Sequence, residues 1–281
     1  MEVLALIPAR SGSKSIKDKN IRIVGGKPML VHSVEHALAS KLVTRVILST
    51  DSEEYARIGR EAGAEVPFIR PAEFAADDSL DIDVFEHALK WLKEKEGYEP
   101  DIVVHLRPTF PTRNPADIDK MVTLLLDHPE ADCVRSVAEA KDTPFKMWFI
   151  DRGDPDDGDF EVPESMAASE SMTAQESGPS LGAGKELKLP GGGSEGKEDE
   201  AGHELGIIKP VVMIPGLEAC SMPRQVLPKV YLQNACIDVI RTETITEKHS
   251  MIGDMVLGYL MQDDCDIDYE EDLKRAEELL S

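Results

Sequence analysis

Residues 3–20 carry the sequence VLALIPARSGSKSIKDKN, in which an apolar run passes directly into a basic loop. The run is short and ends at Pro8, as expected for a buried first strand. Four cations follow within ten residues, at Arg10, Lys14, Lys17 and Lys19. Together with Gly12, which allows a ligand to approach the backbone closely, they predict a phosphate-binding loop. On charge alone, a solvated basic turn is an equally good interpretation. The loop matches neither GxxxxGK(S/T) nor GxGxxG.

Outward from this loop, apolar runs alternate with amphipathic segments. Strands are predicted at 3–8, 43–49, 66–69, 101–106 and 132–138. Helices are predicted at 28–40, from the Ser52 cap to about 62, at 81–95 and from Asn114-Pro115 onward. The alternation predicts an α/β fold with a mainly parallel sheet and helices on both faces. Ligands bind such sheets at the carboxyl ends of the strands, so the loops after residues 8, 49 and 106 are the candidate site.

The composition limits the functional classes. The 281 residues include 31 Lys and Arg against 54 Asp and Glu, and the formal net charge is −23. That charge argues against a protein that wraps nucleic acid or binds an anionic membrane surface. No apolar run approaches the roughly 18–20 residues of a membrane span, and the N-terminus lacks the basic start of a signal peptide. The four cysteines form no CxxC pair, which predicts reduced thiols in a cytoplasmic enzyme.

Residues 151–206 differ in composition from the rest of the chain. They hold 15 acidic and 4 basic residues and 11 of the 20 glycines. Such a segment buries too little apolar surface to offset a chain entropy of about 1–2 kcal/mol per residue, so we interpret it as a disordered acidic insertion. The alternatives are a docking surface for a basic partner and an ordered lid. The insertion separates a nucleotide-binding α/β core at 1–150 from the C-terminal part of the same core at 207–281.

Five motifs occur in order outside the insertion. They are IPARSGSKSIKDKN at 7–20, FIRPAEFAAD at 68–77, LRPTFPTR at 106–113, MPRQ at 222–225 with QN at 233–234, and DID at 266–268 before DL at 272–273. In this order they resemble the signature segments of the acylneuraminate cytidylyltransferases, also called CMP-sialic acid synthetases. The ordered set covers nearly all of the chain except the insertion.

The resemblance implies a nucleotidyltransferase with a Rossmann-like core of the nucleotide-diphospho-sugar transferase type. The implied reaction joins CMP from CTP to a 2-keto sugar acid, an N-acylneuraminate or related nonulosonate, and releases pyrophosphate. Mg²⁺, a homodimer and a role in glycan biosynthesis are implied as well. Two alternatives stay open. One is a nucleotidyltransferase of the same fold for another nucleotide or sugar, such as an eight-carbon keto acid or a sugar phosphate. The other is a non-catalytic scaffold that uses the acidic insertion.

The matching positions imply a role for each candidate residue. The nucleotide would be bound by Arg10, Ser13, Lys14, Lys19, Asn20, Arg70 and Arg107. The sugar acid would be bound by Arg224, Gln225, Asn234 and Lys146. Catalysis would depend on Lys19, Arg10 and Asp268. For Arg224, a surface salt bridge to the acidic insertion is the alternative.

Asp266 and Asp268 are the candidate metal ligands. Carboxylates at i and i+2 of an extended segment lie on one side and can share a hard cation such as Mg²⁺. The alternative is that both are merely acidic residues before a helix start. We expect Arg10, Lys14 and Lys19 to meet the same phosphates from the opposite side.

Several positions depart from the pattern that the resemblance implies. Arg107 stands where the family most often has Gln, Phe110 where it has Ser, and Ala235 where it has Gly. Because arginine only donates hydrogen bonds, we expect Arg107 to hold a phosphate or the sugar carboxylate. Outside these motifs, His32 and His36 are four residues apart but lack the HExxH zinc pattern, so we expect both on a helix surface.

Overall fold

A computed structural model describes residues 1–151, 197–198, 204–205, 207–212, 218–261 and 266–280. The chain divides into two compact units. The first unit contains Met1–Ala140 and Val230–Ser281, and the second contains Lys141–Lys229. The basic loop, which we define as residues 9–20, belongs to the first unit.

The regular elements alternate along the first unit as the sequence predicts. The strands are β1 (Val3–Pro8), β2 (Ile23–Val24), β3 (Lys27–Pro28), β4 (Arg45–Ser49), β5 (Ile102–His105), β6 (Cys133–Glu139), β7 (Trp148–Asp151), β8 (Lys197–Glu198), β9 (Glu204–Leu205), β10 (Ile207–Pro210), β11 (Tyr231–Arg241) and β12 (Val256–Leu260). The helices are α1 (Met29–Ala39), α2 (Glu53–Glu61), α3 (Asp81–Glu96), α4 (Pro115–Asp127), α5 (Thr242–Thr246) and α6 (Glu270–Leu280).

Six strands of the first unit form one sheet in the order β12-β6-β11-β5-β1-β4. β1 pairs in parallel with β4 and β5, and β12 pairs in parallel with β6. Only β11 within this sheet runs antiparallel, between β5 and β6. The prediction of a mainly parallel sheet is confirmed.

Strand β1 explains why helices cover both faces of the sheet. Its side chains alternate between the faces, and every one from Val3 to Ile7 is fully buried. Val3, Ala5 and Ile7 pack in the cluster that contains side chains of α1, α2 and α4. Leu4 and Leu6 pack in the cluster that contains the apolar face of α3. A strand that is buried on both sides must be apolar throughout, as 3–8 is.

Two helices begin where the sequence signals predict. The Ser52 side chain accepts a hydrogen bond from the Tyr55 amide at the start of α2. The Asn114 side chain does the same for the Ala116 amide at the start of α4, with Pro115 in the first helical turn.

Two local predictions are wrong. Residues 66–69 form no strand, and parallel pairing next to β4 is limited to one bridge between Ile47 and Glu65. Pro67 has no amide hydrogen to continue that ladder. His32 does not lie on the helix surface: it is buried, and its Nε2 lies 2.8 Å from the Val24 carbonyl oxygen of the β2–β3 hairpin.

In the second unit, β7 pairs antiparallel with β10, and β8 pairs antiparallel with β9. Asp151, Lys197–Glu198 and Glu204–Leu205 of the predicted insertion therefore lie in paired strands, and the disorder predicted over 151–206 stays a prediction. The rest of the predicted insertion, 152–196, 199–203 and 206, lies outside the described residues.

Cys133 and Cys220 are free thiols, and Cys133 and Cys236 are buried. Cys265 lies outside the described residues. Within the described ranges, no helix is both long and apolar enough to cross a membrane.

Candidate active site

A cavity of about 440 Å³, here called the central pocket, opens in the first unit at the carboxyl ends of β1 and β5. The loops after these two strands line it, as predicted from the strand alternation, and residues between 70 and 84 complete the lining. The predicted loop after residue 49 does not line the pocket; its Asp51 contacts the basic loop instead. All of the nucleotide candidates line it, namely Arg10, Ser13, Lys14, Lys19, Asn20, Arg70 and Arg107. The structure thus brings residues from three separate motifs into one cavity.

Hydrogen bonds shape the basic loop before any ligand is bound. The Asn20 amide nitrogen donates to the Arg10 carbonyl oxygen at 3.0 Å, which closes the loop on itself. The Ser11 amide and hydroxyl both donate to the Asp51 carboxylate, at 2.8 and 2.5 Å. Between these anchors Gly12 has a φ of 73°, a left-handed conformation that favours glycine. Asp51 therefore fixes the basic loop, and the helix cap beside it is Ser52.

Two loop cations share one carboxylate. Arg10 Nη1 lies 2.8 Å from Asp77 Oδ1, and Lys14 Nζ lies 2.5 Å from Asp77 Oδ2. The hydrogen bonds from Lys14 and then Arg10 lower the pKa of Asp77. The side chains of all three are at least a third exposed, so an anionic ligand can reach the two cations and replace Asp77 as their partner.

The third cation, Lys19, has a different partner. Its Nζ lies 3.0 Å from Asp268 Oδ1 and donates to the Ile267 carbonyl oxygen at 2.9 Å. That Lys19 and the acidic pair meet the phosphates from opposite sides stays a prediction. Opposite charges attract most strongly at contact, and the loop and the acidic segment meet directly.

Arg70 is buried beneath the central pocket. Its guanidinium donates to the Ser49 carbonyl oxygen at 2.6 Å and to the Phe74 carbonyl oxygen at 3.2 Å. Burial lowers the pKa of Arg70 to about 10, so the side chain is still charged at neutral pH. Arg70 ties the end of β4 to the turn at Phe74 and places a buried positive charge in the pocket wall.

Arg107 bridges two carboxylates of the protein. Its Nη1 lies 3.1 Å from Asp238 Oδ2 and its Nη2 lies 3.0 Å from Asp81 Oδ2. Asp238 is 1% exposed, and its Oδ1 also accepts from Arg135 Nε at 2.8 Å. That Arg107 holds a phosphate or the sugar carboxylate stays a prediction, and such an anion would have to replace Asp81 or Asp238 as its partner.

His105 is a pocket-lining residue that the sequence analysis missed. It is fully buried at the end of β5, 4.6 Å from the Phe85 ring. Neither ring nitrogen has a hydrogen-bond partner in the part of the chain that the structure describes. Burial, and then the nearby Arg107, hold the pKa of His105 far below its usual range, so the imidazole is neutral. One polar residue inside the apolar run 101–106 was the available signal.

The acidic segment reaches the pocket through Thr109. The Ile267 amide donates to the Thr109 carbonyl oxygen at 2.9 Å, which fixes the flanking carboxylates beside the loop after β5. Asp266 Oδ1 is buried and has no hydrogen-bond partner among the described residues. Burial, and then the like charge of Asp268, raise the pKa of Asp266. An orphaned carboxylate oxygen beside a second carboxylate fits a divalent cation, because the cation would relieve both penalties.

The described ranges contain no group of three or more His, Cys, Asp or Glu side chains arranged to hold a metal. A cation at Asp266 and Asp268 would therefore need further ligands from outside those ranges or from a nucleotide and water. Mg²⁺ suits that arrangement, since it commonly keeps several waters and binds one or two carboxylates together with substrate phosphates.

The sugar-acid candidates belong to two different units. Asn234 lies in the first unit, where its Oδ1 accepts from Ser136 Oγ at 2.6 Å and from the Cys236 amide at 3.3 Å. It is buried at the irregular pairing of β11 with β6, and its expected contact with a sugar hydroxyl stays a prediction. Lys146, Arg224 and Gln225 belong to the second unit and are exposed. Within that unit, Arg224 donates to the Lys141 carbonyl oxygen.

The first three motifs lie in the segment of the chain that a family model matches. A family model described as "Cytidylyltransferase" matches residues 4–145, which is half of the chain. The chain belongs to the cytidylyltransferase family. The matched segment of this cytidylyltransferase-family chain contains the basic loop, Asp77, Arg70 and the loop after β5.

Curated relatives match about half of the chain. An N-acylneuraminate cytidylyltransferase of Escherichia coli is 35% identical over 139 residues, which are 50% of this chain and 32% of the relative. A CMP-N,N'-diacetyllegionaminic acid synthase of Legionella pneumophila is 36% identical over 126 residues, 44% of this chain and 53% of the relative. This cytidylyltransferase-family chain therefore spans about a third to a half of the length of these relatives.

A solved structure supports the fold that is described above for this chain. The structure of CMP-2-keto-3-deoxy-manno-octonic acid synthetase complexed with CTP matches with a TM-score of 0.60 and covers 100% of this chain and 98% of that one. The sequences are 13% identical, so the likeness concerns the fold. The predicted α/β fold is confirmed by this match.

Proposed function

We propose that the chain is a CTP-dependent cytidylyltransferase that transfers CMP to a 2-keto sugar acid of the nonulosonate type and releases pyrophosphate. The observation that carries the proposal is the convergence of Arg10, Lys14 and Lys19 on one cavity at the carboxyl ends of the parallel strands. Family membership and the names of the two curated relatives support the choice of nucleotide and acid.

In the proposed complex, the triphosphate of CTP replaces the protein's own carboxylates at the loop cations. Arg10 and Lys14 exchange Asp77 for phosphate oxygens, and Ser13 and Asn20 add hydrogen bonds beside them. The anomeric hydroxyl oxygen of the sugar acid attacks the α-phosphorus, and the bond to the leaving pyrophosphate breaks. Lys19 neutralises the charge that develops on pyrophosphate, and Asp268 accepts the hydroxyl proton. Such a reaction asks mainly for positioning and charge neutralisation.

Asp266 and Asp268 are the residues that would hold Mg²⁺. When bound, the cation supplies charge neutralisation to the phosphates. The two carboxylates themselves contribute a fixed position, because the Ile267 backbone between them is bonded to Thr109 and Lys19.

The sugar carboxylate is assigned to Arg224 in this proposal, with Lys146 and Gln225 as neighbouring candidates of the second unit. Arginine suits a carboxylate because its planar fork can donate two parallel hydrogen bonds. The proposal keeps the organisation into 1–150, 151–206 and 207–281, a homodimeric assembly and a cytoplasmic location. The free thiols at Cys133 and Cys220 favour a reducing compartment.

Pyrophosphate release against a matrix of nucleotides and acids tests the proposal. The nucleotides are CTP, UTP, ATP and GTP. The acceptors are N-acetylneuraminate, a legionaminic acid, a pseudaminic acid and an eight-carbon keto acid, and a sugar phosphate is tested as a further acceptor. We expect release with CTP and at least one nine-carbon acid. Release only with the eight-carbon acid, the sugar phosphate or another nucleotide would assign a different transferase. No release in any combination would favour the scaffold alternative.

A further inference from the structure

The lining of the central pocket falls into two parts with different counter-ions. Arg10, Lys14 and Lys19 of the basic loop are paired with Asp77 and Asp268. The other part comes from 74–84 and 105–109 and contains Phe74, Val84 and the carboxylate of Asp81. A triphosphate belongs with the loop cations, because a carboxylate would repel it. The uncharged nucleobase is the part of a nucleotide that tolerates Asp81 and gains from the apolar walls beside it.

A chain of alternating charges holds Asp81 in place. Arg135 donates to Asp238, Arg107 bridges Asp238 and Asp81, and Asp238 is buried at the centre. Two arginines and two carboxylates balance in charge, so the arrangement needs no ligand ion to neutralise it. Asp81 is thereby oriented through Arg107, which is itself anchored in the sheet.

Asp81 keeps acceptor capacity toward the pocket. An ionised carboxylate offers about four lone-pair sites, and Arg107 contacts only Oδ2. The side chain lines the central pocket and is 48% exposed. Its position at the first residue of α3 adds the favourable field of the helix start to the negative charge.

We propose that Asp81 recognises the exocyclic amino group of the nucleobase and thereby selects an amino-pyrimidine such as cytosine over a keto-pyrimidine such as uracil. This inference rests on the proposed function and adds the residue that determines its nucleotide. The amino group donates a hydrogen bond to the carboxylate. The uracil carbonyl at the same ring position presents a second acceptor to it, and two acceptors repel. Discrimination therefore arises from an attraction for one base and a repulsion against the other.

The test compares kcat/KM for CTP and UTP in the full chain and in two variants. Asp81→Asn keeps the size of the side chain but replaces one acceptor with a donor that suits the uracil carbonyl. Asp83→Asn is the matched control, since Asp83 lies in the same first turn of α3 and lines a different cavity. We expect Asp81→Asn to lower the CTP-to-UTP preference at least tenfold and Asp83→Asn to leave it unchanged. An unchanged preference in Asp81→Asn overturns the inference.

Two further measurements keep the result decisive. The ratio of CTP to UTP dissociation constants, from calorimetry without a sugar acid, reports base selection even where turnover is lost. Asp81→Glu retains the charge and is expected to retain the preference for CTP. This variant is used if Asp81→Asn fails to fold. Equal affinity of Asp81→Glu for both nucleotides overturns the inference. If the wild-type chain binds CTP and UTP equally and turns over neither, the proposed function fails. If the wild type prefers CTP and Asp81→Asn does so equally, the inference alone fails.

Discussion

The ammonium of Lys19 lies 3.0 Å from the carboxylate of Asp268, although the two residues are 249 positions apart. Lys19 is only 13% exposed, and its second contact is the Ile267 carbonyl oxygen. The basic loop and the acidic segment thus meet at one ion pair beside the central pocket. A phosphate entering there competes with Asp268 for Lys19, and a cation entering there competes with Lys19 for Asp268.

Lys19→Ala is expected to lower kcat by at least about 100-fold and to leave the KM for the sugar acid within about threefold. The reason is that Lys19 would neutralise charge that appears only as pyrophosphate leaves, and losing one such donor typically costs 10²–10³ in kcat. The measurement is pyrophosphate release at saturating CTP. Lys14→Ala is the comparison: its ammonium is exposed, so we expect mainly a higher KM for CTP. A loss confined to the KM for the sugar acid would contradict the assignment.

Asp266→Asn and Asp268→Asn should each reduce Mg²⁺-dependent turnover by at least about 100-fold while leaving the protein folded. Asparagine keeps the shape of the side chain but loses the charge that a hard cation needs. Pyrophosphate release is measured against Mg²⁺ concentration. Glu271→Gln, exposed in the first turn of α6, controls for the general loss of negative charge. Wild-type turnover and metal dependence in both variants would make the pair structural.

Ala235→Gly is expected to stabilise the first unit by about 0.5–1 kcal/mol. Ala235 has a φ of 55°, a left-handed conformation that costs about 1–2 kcal/mol for a residue with a Cβ. Glycine removes this cost, but its greater freedom in the unfolded chain offsets part of the gain in stability. The measurement is the free energy of unfolding in urea. Ala116→Gly, exposed in the first turn of α4, should instead lower it by about 0.5–1 kcal/mol. A lower stability of Ala235→Gly would refute the strain at this residue.

Asp132 predicts a pH-dependent contribution to stability. Burial would raise its pKa, but hydrogen bonds from Lys248 and from the Met255 and Asp254 amides outweigh burial and lower the pKa from 3.8 to about 2. A lowered pKa means that the unfolded chain takes up the proton first. The contribution, of order 2 kcal/mol, is therefore present above about pH 4 and lost as the pH falls toward 2.

Urea unfolding of Asp132→Asn at pH 7, 5, 4 and 3 measures this contribution. We expect the deficit relative to wild type to be largest at pH 5–7 and to shrink below pH 4. The control is Asp254→Asn, because Asp254 contacts the same Lys248 but its side chain is 82% exposed and should contribute less than about 1 kcal/mol. A deficit that is constant with pH would mean that charge is not its origin.

The sequence by itself determined the fold class and the location of the candidate site. The short apolar run at 3–8 and the helical spacing in 81–95 are local properties, and they specify a strand and a helix before any packing occurs. The alternation of strands and helices predicts a mainly parallel sheet, and the carboxyl ends of its strands then bring together loops that are far apart in sequence. The loops that contain Arg10 and Arg107 could be placed at one edge of the sheet for that reason, whereas Arg70 was assigned from the motif resemblance.

Only the tertiary structure decided the partner of each charged group. That Lys19 meets Asp268, that Arg107 meets Asp81 and Asp238, and that His105 is buried 3.8 Å from Asp238 depend on side-chain contacts between distant parts of the chain. The hydrogen bond between Asn234 and Ser136 shows the same limit, since the motif that contains Asn234 did not indicate it. An ion pair or hydrogen bond depends on distances of about 3 Å between residues that the chain separates widely, and sequence periodicity contains no information about those distances.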